Sequence, residues 1–163
     1  MKRLLSCLNI TAFLLLSACT TEPKTVLVTF NGTSTEKKWA LNELNPKLPS
    51  DWSSYGFLTF EMNSSTTQRF DLRVYDTAGT RRLTIQPFQG AWVRASIPLV
   101  HYQKRNTKGM DMAAIGKTAR PGHWIGFSGA VGTINHVDSL GVVIRQPIGS
   151  QALEIRNARL TLA

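Results

Sequence analysis

The amino-acid sequence predicts an all-β fold, a single antiparallel β-sandwich. Residues 56–76 contain two runs in which apolar and polar side chains alternate. About eight or nine short segments of strand character are separated by turn residues at regular intervals. Almost no segment has the spacing of an amphipathic helix. Because a strand points alternate side chains to opposite faces, each such segment buries one face, and two packed sheets are the usual result.

The clearest pair of strands lies at residues 56–76, GFLTFEMNSSTTQRFDLRVYD. The segment NSSTT between the two runs consists of residues that favour turns, because their side chains bond nearby backbone. In the second run, Phe70, Leu72 and Val74 lie on one face, which belongs in the core. The other face is polar and carries the side chains of Arg69, Asp71, Arg73 and Tyr75. A sheet with one apolar and one polar, aromatic-bearing face is a common platform for binding.

The remaining strands are predicted from β-branched residues and alternation. Two precede the hairpin, at residues 25–30 and 37–41, and residues 42–54 are predicted to be a loop. The later strands are predicted at residues 81–85, 91–97, 123–127, 140–145 and 152–162, with a connecting turn at residues 133–139. Residues 100–122 are basic and glycine-rich and predict a long loop, which in a compact domain is usually functional or disordered. At least one of Trp39 and Trp52 is expected to fill the core, because large aromatic side chains dominate core burial.

The first eighteen residues are predicted to be a signal peptide. Lys2 and Arg3 precede an apolar run that is too short to cross a membrane, and small residues follow it. The tetrad Leu-Ser-Ala-Cys at residues 16–19 resembles the bacterial lipoprotein box. That resemblance implies cleavage before Cys19 and attachment of lipid to its sulfur, with several acyl chains such as palmitate as a stable anchor. The predicted organisation is a signal peptide at residues 1–18, a lipidated cysteine and tether at 19–24, and the sandwich at 25–163. The alternative is an ordinary secretory signal with a chance cysteine.

The cysteine count and the net charge limit which kinds of site and partner the mature chain can have. The cysteines are Cys7 and Cys19, so removal of residues 1–18 leaves one, which excludes an internal disulfide and a cysteine-based metal site. Removing Lys2 and Arg3 from 19 basic residues leaves 17 against 10 acidic residues, so the net charge changes from +9 to +7. This charge favours a polyanionic partner, and for an exported lipoprotein an anionic glycan ranks above nucleic acid. Thr20, after the cysteine, favours the outer membrane of the cell envelope. The alternative is that scattered basic residues only keep the domain soluble.

Five segments in chain order resemble a carbohydrate-binding-module-like sandwich of the galactose-binding or jelly-roll type, found beside bacterial agarase-type glycoside hydrolases. They are DWSSYGFLTFEM, FDLRVYD, GAWVRASIPL, VDSLGVVIRQP and LEIRNARL. The resemblance implies that fold over residues 25–162 and a glycan ligand. Such domains often hold a structural calcium partly through an acidic residue of the last strand. Here that strand reads Glu154-Ile155-Arg156-Asn157, with arginine and asparagine where an aspartate is often seen, so no cofactor is expected.

The candidate ligand-binding residues are arginines and aromatics predicted to point outward. Sugar recognition uses aromatic faces and fixed polar groups, and arginine adds paired hydrogen bonds to carboxylate or sulfate. The set consists of Arg69, Arg73 and Tyr75 on one strand, Trp92 and Arg94 on another, and His101 and Tyr102 at the start of the long loop. If the two strands share a sheet face, they form a basic, aromatic platform. The alternatives are that Tyr75 and Trp92 pack under the long loop, and that this loop is only a solvated basic segment.

The function predicted from these patterns is that of a lipid-anchored, non-catalytic glycan-binding module for an acidic or sulfated polysaccharide. The first alternative is a structural or assembly lipoprotein of the envelope that binds another protein. The second is a small hydrolase on the same fold. Glycoside hydrolysis needs a pair of carboxylates at a defined separation, and a sequence with many scattered carboxylates does not select one pair.

Overall fold

A computed structural model of the chain describes residues 24–30, 35–103 and 123–162, without the side chains of residue 101 and of residues 123–127. The predicted signal peptide, the predicted lipidation site Cys19 and most of the long basic loop therefore lie outside the described residues. Within these ranges no helix is long and apolar enough to cross a membrane.

The strands of the described residues form two sheets with antiparallel neighbours. The four-stranded sheet contains, in spatial order, β1 (Val26–Phe30), β9 (Gln151–Thr161), β3 (Phe57–Ser64) and β6 (Val93–Pro98). The five-stranded sheet contains β2 (Glu36–Ala40), β8 (Val137–Val143), β4 (Phe70–Asp76), β5 (Gly79–Gln86) and β7 (His123–Gly129). Two one-turn helices, α1 (Leu41–Leu44) and α2 (Val100–Gln103), join strands at the ends of the sandwich. The predicted all-β sandwich is confirmed.

The core lies between the two sheets and consists of the residues that alternation predicted to point inward. On β4, Phe70, Leu72 and Val74 are all buried, and they face buried residues of β3 and β9 across the sandwich. Trp39 and Trp52 are both buried, which confirms that at least one tryptophan fills the core. The opposite face of each sheet points away from this core, as the two-layer architecture requires.

Several boundaries differ from the prediction. Residues 137–139 belong to β8 rather than to a turn, because they pair with residues 75 and 76 of β4. Strand β6 begins at Val93, so Trp92 precedes the strand. Helix α1 lies in a predicted loop, and α2 lies at the start of the predicted long loop. Long-range pairing decided the first of these differences, since strand propensity depends on the neighbouring strand more than on the residue itself.

Among the described residues, an arginine lies inside the sandwich. Arg81, on the inner face of β5, is fully buried and forms an ion pair with Asp76. Its Nη2 donates to the carbonyl oxygens of Gly132 and Thr133 at 3.3 and 3.2 Å. Burial lowers the pKa of Arg81. These bonds fasten the connection between β7 and β8 to the five-stranded sheet, and breaking such a buried pair typically costs about 3–5 kcal/mol.

Candidate ligand-binding groove

The outer face of the five-stranded sheet aligns polar side chains in rows across the strands. Antiparallel pairing places Asp71 of β4 opposite Val143 of β8 and opposite Thr84 of β5. In the next outward row, Arg73 of β4 lies opposite Arg82 of β5. Directly opposite residues share a face and lie close together, so the alternation of each strand becomes a continuous polar surface.

An open groove of about 540 Å³ lies on this surface. Its volume falls within the range of about 300–1,000 Å³ that is usual for small-molecule sites. The lining residues are Gln68, Arg69, Asp71, Arg82, Thr84, Val143, Arg145 and Gln146. This described lining contains three arginines against one carboxylate, and it includes no aromatic side chain. The groove is therefore suited to attract an anion and to exchange hydrogen bonds rather than to stack a sugar ring.

Asp71 forms the floor of the groove and is only 6% exposed. Thr84 Oγ1 donates a hydrogen bond to Asp71 Oδ1 at 2.7 Å. Asp71 Oδ2 has no hydrogen-bond partner among the described residues. Ion pairs balance its charge instead, with Arg145 Nη2 at 3.4 Å and Arg82 Nε at 3.9 Å. Buried polar atoms are almost always hydrogen-bonded, so Asp71 Oδ2 is an unusual buried acceptor in a residue that lines the groove.

Two of the three arginines that line the groove are held by a hydrogen bond from Nε. Arg82 Nε donates to Ser128 Oγ at 2.9 Å, and Arg69 Nε donates to Gln86 Oε1 at 2.8 Å. Within the described residues, the terminal nitrogens of Arg69 and Arg82 make no hydrogen bond. The side chain of Arg145 is 64% exposed. Terminal guanidinium nitrogens without a hydrogen-bond partner can bind the paired oxygens of a carboxylate or sulfate.

Gln68 positions the β8–β9 loop, which carries one wall of the groove. Its Nε2 donates to the carbonyl oxygen of Gln146 at 2.6 Å, and its Oε1 accepts from the backbone N–H of Ile148 at 3.0 Å. Gln151 of β9 donates to the same oxygen. The side chain of Gln68 thus ties the loop to the β3–β4 turn, and Arg145 is placed beside Asp71.

Tyr75 lies farther along the same face and is covered on its ring. Gly141 lies beneath it, and a Cβ there would come within 3.0 Å of the ring. Lys38 Nζ lies 4.2 Å from the ring centroid, and the Tyr75 hydroxyl donates to Glu36. Burial and then the hydrogen bond to Glu36 raise the pKa of Tyr75. Glu36 also pairs with Arg73 Nη1 at 3.5 Å, so the charged groups at this end of the face are mutually satisfied.

The outer face of the four-stranded sheet carries a second cluster, centred on Glu61 of β3. Glu61 Oε2 accepts from Arg156 Nε at 2.9 Å and from Asn157 Nδ2 at 3.0 Å, and Glu61 Oε1 accepts from Arg94 Nη2 at 3.4 Å. Asn157 reaches Glu61 from a β-bulge, where its φ of 57° is tolerated by asparagine. The hydrogen bonds from Arg156 and then Asn157 lower the pKa of Glu61. The guanidinium of Arg156 also covers the ring of Trp92, 3.9 Å from its centroid.

Comparison with known proteins supports the fold. A search of solved structures finds PfGH50B, which is similar to this chain at 15% sequence identity with a TM-score of 0.58. The similarity covers 85% of this chain and 20% of PfGH50B, so the chain spans about a fifth of that protein. No family model matches the chain, and no curated protein matches it. At this level of identity the likeness shows a shared sandwich fold.

The predicted platform is not one surface. Arg73 and Tyr75 lie on β4 of the five-stranded sheet, and Arg69 directly precedes that strand. Arg94 lies on β6 of the four-stranded sheet, on the opposite side of the sandwich, and Trp92 directly precedes β6 and contacts Arg156. Strand β6, which carries Arg94, pairs with β3, and the sequence does not indicate that these two strands are neighbours. Ligand binding by either set stays a prediction. Trp92 is 38% exposed, so it stays a candidate ligand-binding residue.

The two predicted residues at the start of the long loop have different outcomes. Tyr102 was predicted to rim a ligand site, but it is 3% exposed and belongs to the core cluster, because α2 turns it inward. Its burial raises the pKa of its hydroxyl. The side chain of His101 lies outside the described residues.

Sequence reasoning missed Arg82 and Arg145 as candidate binding residues. Arg82 carries a usable signal, because it alternates with the buried Arg81 and Leu83 on β5. Arg145 lies just after β8, and only the fold of the β8–β9 loop brings it to Asp71. In the described part of the chain, no group of three or more histidine, cysteine, aspartate or glutamate residues is arranged to hold a metal ion.

Proposed function

We propose that this protein is a lipid-anchored, non-catalytic module that binds an acidic or sulfated polysaccharide in the groove of the five-stranded sheet. The observation that carries the proposal is the lining of the groove, with three arginines around one nearly buried aspartate. The similarity in fold to PfGH50B, a glycoside hydrolase family protein, gives weak support for a carbohydrate-binding module.

The chemistry of the groove favours an anionic ligand over a neutral one. Neutral glycans are commonly bound by stacking on an aromatic side chain, and the described lining has none. Tyr75, an aromatic residue described on the same face, is covered by Lys38. The terminal nitrogens of Arg69 and Arg82 instead offer charge-assisted hydrogen bonds, which are about twice as strong as neutral ones. Carboxylate and sulfate groups are the glycan substituents that accept such bonds.

A binding role rather than catalysis is favoured by the carboxylates. Most glycoside hydrolases use two carboxyl groups about 5–9.5 Å apart, on either side of the scissile bond. Asp71 is the one carboxylate among the described lining residues of the groove, and its burial between arginines suits a fixed acceptor. We therefore propose that ligand is held in the groove and not cleaved there.

The proposed anchor is lipid on Cys19, with the sandwich exposed at the bacterial outer membrane. Support comes from the Leu-Ser-Ala-Cys tetrad and from Thr20 after it. Labelling with radioactive palmitate tests the anchor. Wild type is expected to incorporate label and to sediment with membranes, whereas Cys19→Ser is expected to do neither. Label in the Cys19→Ser protein would contradict lipidation at this residue.

Affinity electrophoresis tests the binding function. The purified protein is run through gels that contain polygalacturonate, a sulfated galactan or neutral agarose, at low and at moderate salt. Retardation by the anionic polymers, weakened by salt and absent with agarose, is the expected result. Equal mobility in every gel would overturn the proposal and would favour a protein partner in the envelope.

A further inference from the structure

The groove contains an acceptor that the arginines do not satisfy. Asp71 Oδ2, in a residue that lines the groove, is buried and receives no hydrogen bond from the described residues. Both nearby guanidinium groups lie farther from this oxygen than the usual hydrogen-bond length of about 2.9 Å, at 3.4 Å for Arg145 and 3.9 Å for Arg82. A ligand with only acceptor oxygens would satisfy the arginines and would place further negative charge beside Asp71.

A ligand hydroxyl would supply the hydrogen bond that Asp71 Oδ2 lacks. A sugar hydroxyl that donates to Asp71 Oδ2 lies about 2.7 Å from it. Because Arg82 and Arg145 both lie within 4 Å of the same oxygen, an anionic substituent elsewhere on the same sugar ring comes within their reach. Thr84 occupies Asp71 Oδ1, so the carboxylate is held in one orientation, and Oδ2 is buried beside Arg82 and Arg145. A hydroxyl reaches Oδ2 when the exposed side chain of Arg145 turns from this oxygen toward the anion.

We infer that the groove selects an acidic sugar with a free hydroxyl on the same ring as its anionic group, which donates to Asp71 Oδ2 while Arg82 and Arg145 bind the anion. This inference rests on the proposed function and adds a discriminating residue to it. Asp71 opposes binding of anions that lack a donor, such as polyphosphate or a fully acylated polyuronate. The arginines supply attraction, and Asp71 supplies selectivity.

The test compares polymers that have the same charge and differ in their hydroxyls. Polygalacturonate and its O-acetylated form both keep their carboxylates, and acetylation removes the donors. Wild type is expected to bind the unmodified polymer roughly tenfold more tightly, which corresponds to one buried acceptor left without its partner. A sulfated galactan in native and acetylated forms, run in parallel, shows whether carboxylate or sulfate is the preferred anion.

The discriminating variant is Asp71→Asn. It removes the charge of the acceptor, so the preference for the unmodified polymer is expected to disappear, and affinity for the acetylated polymer and for polyphosphate is expected to rise. Asp51→Asn makes the same change of charge at an exposed loop residue outside the groove lining and is expected to keep the wild-type preference. Circular dichroism of each variant checks that the fold is retained.

The outcomes separate the two proposals. Equal binding of both polymers by wild type, or an unchanged preference in Asp71→Asn, would overturn the role of Asp71 and leave anionic glycan binding in place. Loss of the preference in Asp51→Asn as well would show a general charge effect and would also overturn it. Retention of neither polymer by wild type would overturn the proposed function, and this inference with it.

Discussion

The two outer faces of the sandwich use the same residue types to opposite effect. On the four-stranded sheet, Glu61 lies in one row between Arg94 and Arg156 and accepts hydrogen bonds from both. On the five-stranded sheet, Asp71 receives one hydrogen bond, from Thr84, and has arginines only at ion-pair distance. On the first face the carboxylate is hydrogen-bonded to both arginines, whereas the second face leaves guanidinium groups beside a groove.

Register explains the difference between the faces. Glu61 has an arginine directly opposite on each neighbouring strand, at the short distance of paired residues. Asp71 has Val143 and Thr84 directly opposite, and its arginines come from the next row and from a loop. The composition of a polar face therefore does not show whether it binds ligand. A polar face is available to a ligand when its charged groups do not already satisfy one another.

The largest effect is expected from removing arginines on one face at a time. Arg82→Gln with Arg145→Gln should weaken binding of an anionic polysaccharide by more than about tenfold, since each charge-assisted hydrogen bond contributes about 1.5–3 kcal/mol. Arg94→Gln with Arg156→Gln lowers the net charge of the protein by the same amount on the opposite face and should change binding by less than about threefold. Affinity electrophoresis of both double variants measures the contrast. Equal loss in both would show that overall charge, and not the groove, governs binding.

A smaller effect, on stability, is expected from Gly141→Ala. The added Cβ would lie 3.0 Å from Tyr75 Cε2 and 3.3 Å from the carbonyl oxygen of Lys37, so the ring must move. Overpacking of this kind typically costs about 1–3 kcal/mol. This cost exceeds the roughly 0.4–1 kcal/mol that replacing a glycine gains by restricting the unfolded chain, and urea denaturation measures the net change. The free energy of unfolding should fall, whereas Ser96→Ala, on the outer face of the four-stranded sheet, should change it by less than about 1 kcal/mol. An unchanged free energy in Gly141→Ala would mean that Tyr75 does not lie across β8.

These contrasts mark how far the sequence predicts the molecule. Alternation identified the sandwich and the outward positions of Arg69 and Arg73, because a period of two is a local property of a strand. It did not show which strands share a sheet, since pairing depends on contacts between residues distant in sequence, so the sequence left open whether Arg94 shares a face with Arg73. Arg145 reaches the groove only through the fold of a loop fastened by Gln68.

A third prediction concerns Trp92, for which a role in binding is still untested. Trp92→Ala removes the ring beneath Arg156 and, with it, a cation–π contact that is worth about 0.5–1 kcal/mol at an exposed site. The melting temperature should fall slightly. Because the ring is already covered by a guanidinium, polysaccharide binding should stay within about twofold of wild type. A loss of polysaccharide binding as large as that of Arg82→Gln with Arg145→Gln would show that both faces of the sandwich bind ligand.

The smallest effect is expected from the titration of Glu61. Hydrogen bonds from Arg156 and Asn157 hold the pKa of Glu61 below its ordinary value of 4.5. A carboxyl group whose pKa is lower in the folded than in the unfolded chain stabilises the fold above the unfolded value, and this contribution is lost as the pH falls through the folded value. Urea denaturation between neutral and acidic pH should therefore show that wild type loses more stability than Glu61→Gln as the pH falls below 4.5. The difference should shrink when both proteins also carry Arg156→Gln, because the largest cause of the shift is then absent. An equal loss of stability at acidic pH in wild type and Glu61→Gln would mean that the arginines on this face do not hold Glu61. The four-stranded sheet would then also have arginines free to bind a ligand.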